Sequence, residues 1–90
     1  MTLAAAVVSL RSYADSGRPT GGFLRAVLEN DLMEAVGRAD HSSLVNLADI
    51  CRYVYNDIPA PCHGSPEKVS EWLQMHAEKR LAVAAERGGA

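Results

Sequence analysis

The chain has 90 residues, 48% of them hydrophobic, with nine Lys and Arg against eleven Asp and Glu for a net charge of −2. That length makes one domain, which buries only about 60–65% of its unfolded surface and so has little stability to spare. The balance of charge excludes both the basic face of a non-specific nucleic-acid binder and the acidic excess of a DNA mimic, and the longest apolar run, from Leu3 to Ser9, is far too short to cross a bilayer. No basic residue precedes that run as it would in a secretory signal, so the expected location is cytoplasmic.

Taken in order, the chain reads as helices separated by turn chemistry. Leu3, Val7, Leu10 and Ala14 recur at steps of four, three and four, which predicts a helix over about 3–14 with Thr2 as its cap and Tyr13 near its end. Gly17 can take the left-handed position that closes a helix, and Pro19 forbids continuation. The next segment carries Leu24, Val27, Leu28, Leu32, Ala35 and Val36 at helical spacing, and it predicts one helix over about 20–37 whose stripe the rest of the chain must cover. Gly21 and Gly22 fall in its first turn. There they leave backbone N–H groups open to an anion or a partner's carbonyl, or make room for close approach by another helix. Glu34 and Arg38 form a favourable i,i+4 pair.

Asp40 is a good N-cap, with Ser42 and Ser43 as near alternatives, for a helix over about 41–57. Leu44, Leu47, Ala48, Cys51, Val54, Tyr55 and Ile58 give it the strongest stripe in the chain, with Ile50 and Tyr53 beside the stripe rather than on it. So wide an apolar face is compatible with a homodimer as well as with a central place in the core. Pro59 and Pro61 stop it. Ser65-Pro66-Glu67 then supplies a cap, a proline at the first helical position and an acid at the positive helix end. The last helix is expected over about 66–86, with Val69, Trp72, Leu73, His76 or Ala77, Leu81 and Ala84 inward and Gly88-Gly89-Ala90 fraying. The whole is predicted to be all-α, a single domain over 1–90 with four short helices in an irregular compact bundle.

The chemistry-bearing residues form no recognised constellation. Cys51, Cys62, His63 and His76 are the residue types that zinc takes, but adjacent Cys62 and His63 rarely bind one ion together and no tight Cys-x2-Cys pair starts a site. Cys62 beside His63, just ahead of a helix start, has the outline of an activated thiol without a third group to orient it. Glu29, Asp31, Glu34 and Asp57 read as a solvated face. Trp72 reads as a core anchor. No catalytic residue, metal ligand or cofactor is therefore assigned. Arg11, Arg18, Arg25 and Arg52, with Tyr53 nearby, are of the types enriched at interface hot spots. The expected partner-binding residues are Arg18, Gly21, Gly22, Arg25 and Tyr53.

The pieces Tyr13…Gly17-x-Pro19-x-Gly21-x-Phe23-Leu24-x-Ala26-Val27-Leu28-x-Asn30-Asp31-Leu32, then Arg38-Ala39-Asp40, then Tyr53-x-Tyr55-Asn56-x-x-Pro59 and Gly64-Ser65-Pro66-Glu67-Lys68-Val69-x-x-Trp72 resemble a family of small phage and prophage proteins. The match covers roughly residues 10–75. The resemblance implies a setting, the cytoplasm of a host cell. In that setting a small non-enzymatic protein binds a host protein or nucleoprotein complex, for example as an inhibitor of CRISPR or another defence system. The alternative reading is a small helix-turn-helix-like nucleic-acid-binding regulator, against which stands the lack of a helix rich in Arg, Lys, Asn and Gln.

Overall fold

Thr2 caps the first helix in the computed structural model, which describes residues 1–88. Its hydroxyl oxygen accepts the Ala5 N–H at 3.1 Å, and α1 (Leu3–Ser16) runs two residues beyond the expected end. Gly17 closes it at φ 65, donating its N–H to the Tyr13 carbonyl at 2.8 Å. Ala6, Leu10, Tyr13 and Ala14 are its buried face.

The segment expected as one helix over 20–37 is two, α2 (Gly22–Leu28) and α3 (Leu32–Arg38). The cause is Asn30, which sits at φ 61 just past the end of α2. Its N–H donates to Val27 and that of Asp31 to Ala26, the paired bonds that close a helix through a left-handed residue. Asp31 then restarts the chain as an N-cap, its carboxylate accepting the Glu34 N–H at 3.1 Å. The segment expected over 41–57 also divides, at Asn46, into α4 (His41–Val45) and α5 (Leu47–Asp57). Asp40 is the cap of α4, as expected, and its carboxyl is held well below the usual carboxylate range by the Ser43 N–H at 2.8 Å and by the Met1 ammonium. A single 3-10 turn (Ala60–Cys62) leads to α6 (Pro66–Gly88), whose cap Ser65 accepts the Lys68 N–H. Among the described residues the architecture is all-α as predicted, but with six α-helices instead of four. Of the stretch expected to fray, Gly88 is still in α6, two residues past the expected end, and Gly89-Ala90 lie outside the described residues.

Breaking the helices changes which side chains the core receives. Leu24, Leu28 and Ala35 are buried, whereas Leu32 and Val36, expected on the same stripe, are exposed on α3. On α5 the buried line is Ile50 and Val54, continued by Ile58 just beyond the helix, while Tyr55, expected on the stripe, is 83% exposed. The core contacts of α6 come from its first half, where Val69 is buried and Trp72 and Leu73 lie against the core; further on Leu81 is 70% exposed, while Arg80 still donates to the Ser16 carbonyl at 2.8 Å.

Three polar contacts pin this core. The Tyr13 hydroxyl donates to the Cys62 carbonyl at 2.7 Å, the Trp72 indole N–H donates to the Tyr13 carbonyl at 3.0 Å, and the Gly64 N–H donates to the Leu28 carbonyl at 2.7 Å. Together they fasten α1, α2, α6 and the loop before α6. Gly17 lies hard against α6, where a Cβ on it would stand 2.2 Å from the His76 Cβ. Gly17→Ala therefore meets both backbone strain and a clash that flexible atoms cannot relieve. It is expected to cost about 2 kcal/mol and to lower the thermal midpoint by about 10 °C, followed by far-UV circular dichroism.

Candidate partner-binding surface

The tight turn at Glu29-Asn30-Asp31 folds α2 and α3 into a hairpin, and this places the expected site residues in a new context. Gly22 is a point of close approach, because a Cβ there would lie 2.7 Å from Nη1 of Arg38 on α3. Gly21 faces open space, with nothing within 4 Å of the same position. One side of the hairpin is charged and internally matched: Arg25 donates to Glu29 at 3.2 Å and Arg38 to Glu34. Such exposed pairs add little stability. Arg18 is different. It stands exposed in the link between α1 and α2 and makes no hydrogen bond or ion pair among the described residues, whereas Arg11 pairs with Asp15 and Arg52 with Asp49. The structure thus groups Gly21 and Gly22 at one end of the hairpin with Arg38, and keeps Arg18 in the adjoining link and Arg25 one turn into α2. Tyr53 is not tied to them by any hydrogen bond among the described residues; it is half-buried on α5 and packs against the core.

The other side of the hairpin is apolar and turned outward. Leu32, Met33 and Val36 are 60%, 84% and 44% exposed, and their positions put them on one face of α3 with Gly37 beside them. The one buried residue of α3 is Ala35, which borders the Leu32 edge of this face and lies across the helix from Met33. The sequence reading missed this surface because it carried the stripe of α2 straight through Asn30; Asn-Asp, a left-handed closer followed by a cap, was the available signal. The helix after the tight turn presents Leu32, Met33 and Val36 on this face, with Glu34 and Arg38 exposed round the helix from them.

The cysteine and histidine candidates are held apart by the fold. Cys62 is fully buried, and burial pushes its thiol up to about 11, with the charge of Asp15 adding to the effect. That is the reverse of what activates a nucleophile. Cys51 is partly exposed and lines a groove of about 560 Å³ with Val27, Asn30, Val54, Tyr55 and His63. The His63 Nε2 lies 3.1 Å from the Ile58 carbonyl, which can only accept, so Nε2 carries the proton of that contact. Both thiols are free, and among the described residues no three His, Cys, Asp or Glu side chains converge as metal ligands. Trp72 is a core anchor with its edge to the His76 ring, centroids 4.8 Å apart. No helix among the described residues is long and apolar enough to cross a membrane.

Comparison with family models, curated proteins and solved structures finds no match for this chain.

The two cysteines differ enough in access to be told apart in solution. With a thiol reagent at mildly alkaline pH, the native chain is expected to release one equivalent quickly, from Cys51, and the second only at the rate of unfolding. Mass spectrometry of the labelled chain in and out of denaturant checks the assignment.

Proposed function

We propose that this chain is a non-enzymatic binding protein of phage or prophage type that docks on a host protein or nucleoprotein complex, with a CRISPR or other defence complex as the leading target. The observation that carries the reading is Arg18, an exposed guanidinium with no partner among the described residues, set beside the bare backbone of Gly21. Arginine is favoured at interface hot spots because its planar fork offers five donors to carboxylate or phosphate, and an unpaired one is free to engage a partner without first breaking a bond of its own. Gly21 adds a surface with no side chain between the partner and the main chain. Arg25, one turn further on, is exposed as well and is already paired with Glu29. The setting in a phage-infected cell rests on the motif resemblance given above.

The test is capture from the cytoplasm of the chain's own host. The immobilised protein is expected to retain one stoichiometric multi-subunit complex, and Arg18→Glu to weaken that capture about tenfold or more with no change in thermal midpoint. Retention unaffected by Arg18→Glu would move the docking face elsewhere; a clean column at moderate salt would count against a host complex altogether.

A further inference from the structure

We infer that the seam where α6 crosses the end of α1 binds a small phosphate ester, its phosphate held by Lys79, Arg80 and Arg18 and its organic part laid along Val83 and Ala84. The site needs no host complex, so it stands or falls apart from the docking reading, although Arg18 serves both.

The sequence sets the charges. On a helix surface a cation is stabilised by an acid three or four residues away. Arg11 has Asp15 in this way, Arg25 has Glu29, Arg38 has Glu34 and Arg52 has Asp49. Lys79 and Arg80 have no such neighbour. The positions three and four away from them hold Met75, His76, Ala77, Ala82, Val83 and Ala84, none of which is acidic. Neither they nor Arg18 makes an ion pair among the described residues.

The fold brings these three cations to one place. Gly17 packs so closely on α6 that a Cβ there would lie 2.2 Å from the His76 Cβ, and Arg80 donates from Nη1 to the Ser16 carbonyl at 2.8 Å. Arg18 follows Gly17 directly, and Lys79 and Arg80 stand one turn along α6 from His76. His76, Lys79, Arg80, Val83 and Ala84 line an open groove of about 570 Å³ at this crossing, a volume in the range of small-ligand sites. The bond to Ser16 uses one of the five N–H donors of Arg80 and holds its head in place, leaving the others for a ligand.

A second observation lies in the wall of the groove. Nε2 of His76 is buried and has no hydrogen-bond partner, alone in this among the side-chain nitrogens and oxygens of the described residues. Its ring stands against Gly17 and the edge of Trp72. Polar atoms buried in this way are few, and they mark places where a water, an ion or a ligand completes the structure. A phosphate oxygen seated beside Lys79 and Arg80 gives the ring the acceptor it lacks after a small tilt toward the groove.

Charge and extent select the ligand. Three cations without an acid among them exceed what one carboxylate needs and suit a phosphate dianion, which arginine grips through its fork and lysine meets as a point charge. A nucleic-acid strand would need the cations to continue as a track, whereas the arginines elsewhere are spent on their own acids. Val83, 47% exposed, and Ala84 extend the stripe of Lys79 and Arg80 by one turn and give the organic part an apolar wall. Because the groove is open, binding is weak, with a dissociation constant on the order of 1 mM.

The test is titration of the isotope-labelled full chain at fixed ionic strength with inorganic phosphate, phenyl phosphate and acetate, followed by amide NMR. Both phosphates are expected to give saturable shifts at Gly17, Arg18, His76, Lys79 and Arg80, phenyl phosphate binding about threefold or more tighter than inorganic phosphate, and acetate none. Lys79→Gln, a change at an exposed side chain without a bond of its own, should weaken phenyl phosphate about fivefold with the thermal midpoint unchanged. Arg80→Lys, which keeps the charge and gives up the fork, should weaken it as well. No saturable shift with either phosphate by about 20 mM, acetate binding as well as phosphate, phenyl phosphate no tighter than inorganic phosphate, or an affinity indifferent to both variants overturns the inference.

Discussion

The phenol of Tyr13 is fully buried, and a buried hydroxyl without a partner costs about 1–3 kcal/mol, so the fold has to bring it an acceptor. It brings the Cys62 carbonyl, 49 residues away in sequence. The same residue's carbonyl accepts the Gly17 N–H that closes α1 and the Trp72 indole N–H from α6. Burial, with the neighbouring Cys62 adding, holds the phenol well above its usual range, so it remains a neutral donor throughout the pH range in which the protein is handled. One residue thereby ties down the end of α1 and the approach of α6 through its main-chain carbonyl, and the loop before α6 through its side chain. The 3-10 turn at Ala60–Cys62 follows from this, because the chain must present a carbonyl inward and still reach the cap at Ser65.

Around that anchor the remaining helices are short and each has its own local start. This is why the caps were readable from the sequence. Thr2, Asp40 and Ser65 each accept the backbone N–H three residues on, and Gly17 takes the left-handed position its context demanded. The breaks at Asn30 and Asn46 were not read. In both places apolar residues kept helical phase across the interruption, so periodicity alone saw one helix where there are two. The error propagated to the faces: a continuous helix would have buried Leu32 and Val36 with Leu28, and the turn instead swings them outward. On α5 the shift is smaller, from Tyr55 to Ile50, and was decided by which side α1 occupies, a contact between segments some forty residues apart. The Tyr13 to Cys62 bond was equally out of reach of any local rule.

The same breaks give the α2–α3 hairpin its two unlike sides. One is charged, with its pairs satisfied within each helix, and adjoins an arginine that is not satisfied. The other is apolar and uncharged. Of the expected site residues, Arg18, Gly21, Gly22 and Arg25 belong to the charged end of this unit, while Tyr53 belongs to the core packing of α5. Gly22 was legible as a position with a special requirement, but the neighbour that imposes it, Arg38, became visible only once α3 was seen to fold back. The buried area comes chiefly from α1, α2, α5 and the first half of α6, and α3 adds only Ala35 to it.

The claim that Tyr13 governs this arrangement is tested most directly by Tyr13→Phe, which removes the hydroxyl and keeps the ring. Urea unfolding with amide hydrogen exchange on the same samples is the measurement. The account predicts a stability loss of about 1–3 kcal/mol, with the Gly64 amide, bonded to Leu28 beside the anchored loop, losing protection beyond its neighbours in α1. A variant within about 0.5 kcal/mol of wild type, with Gly64 as protected as before, would contradict it.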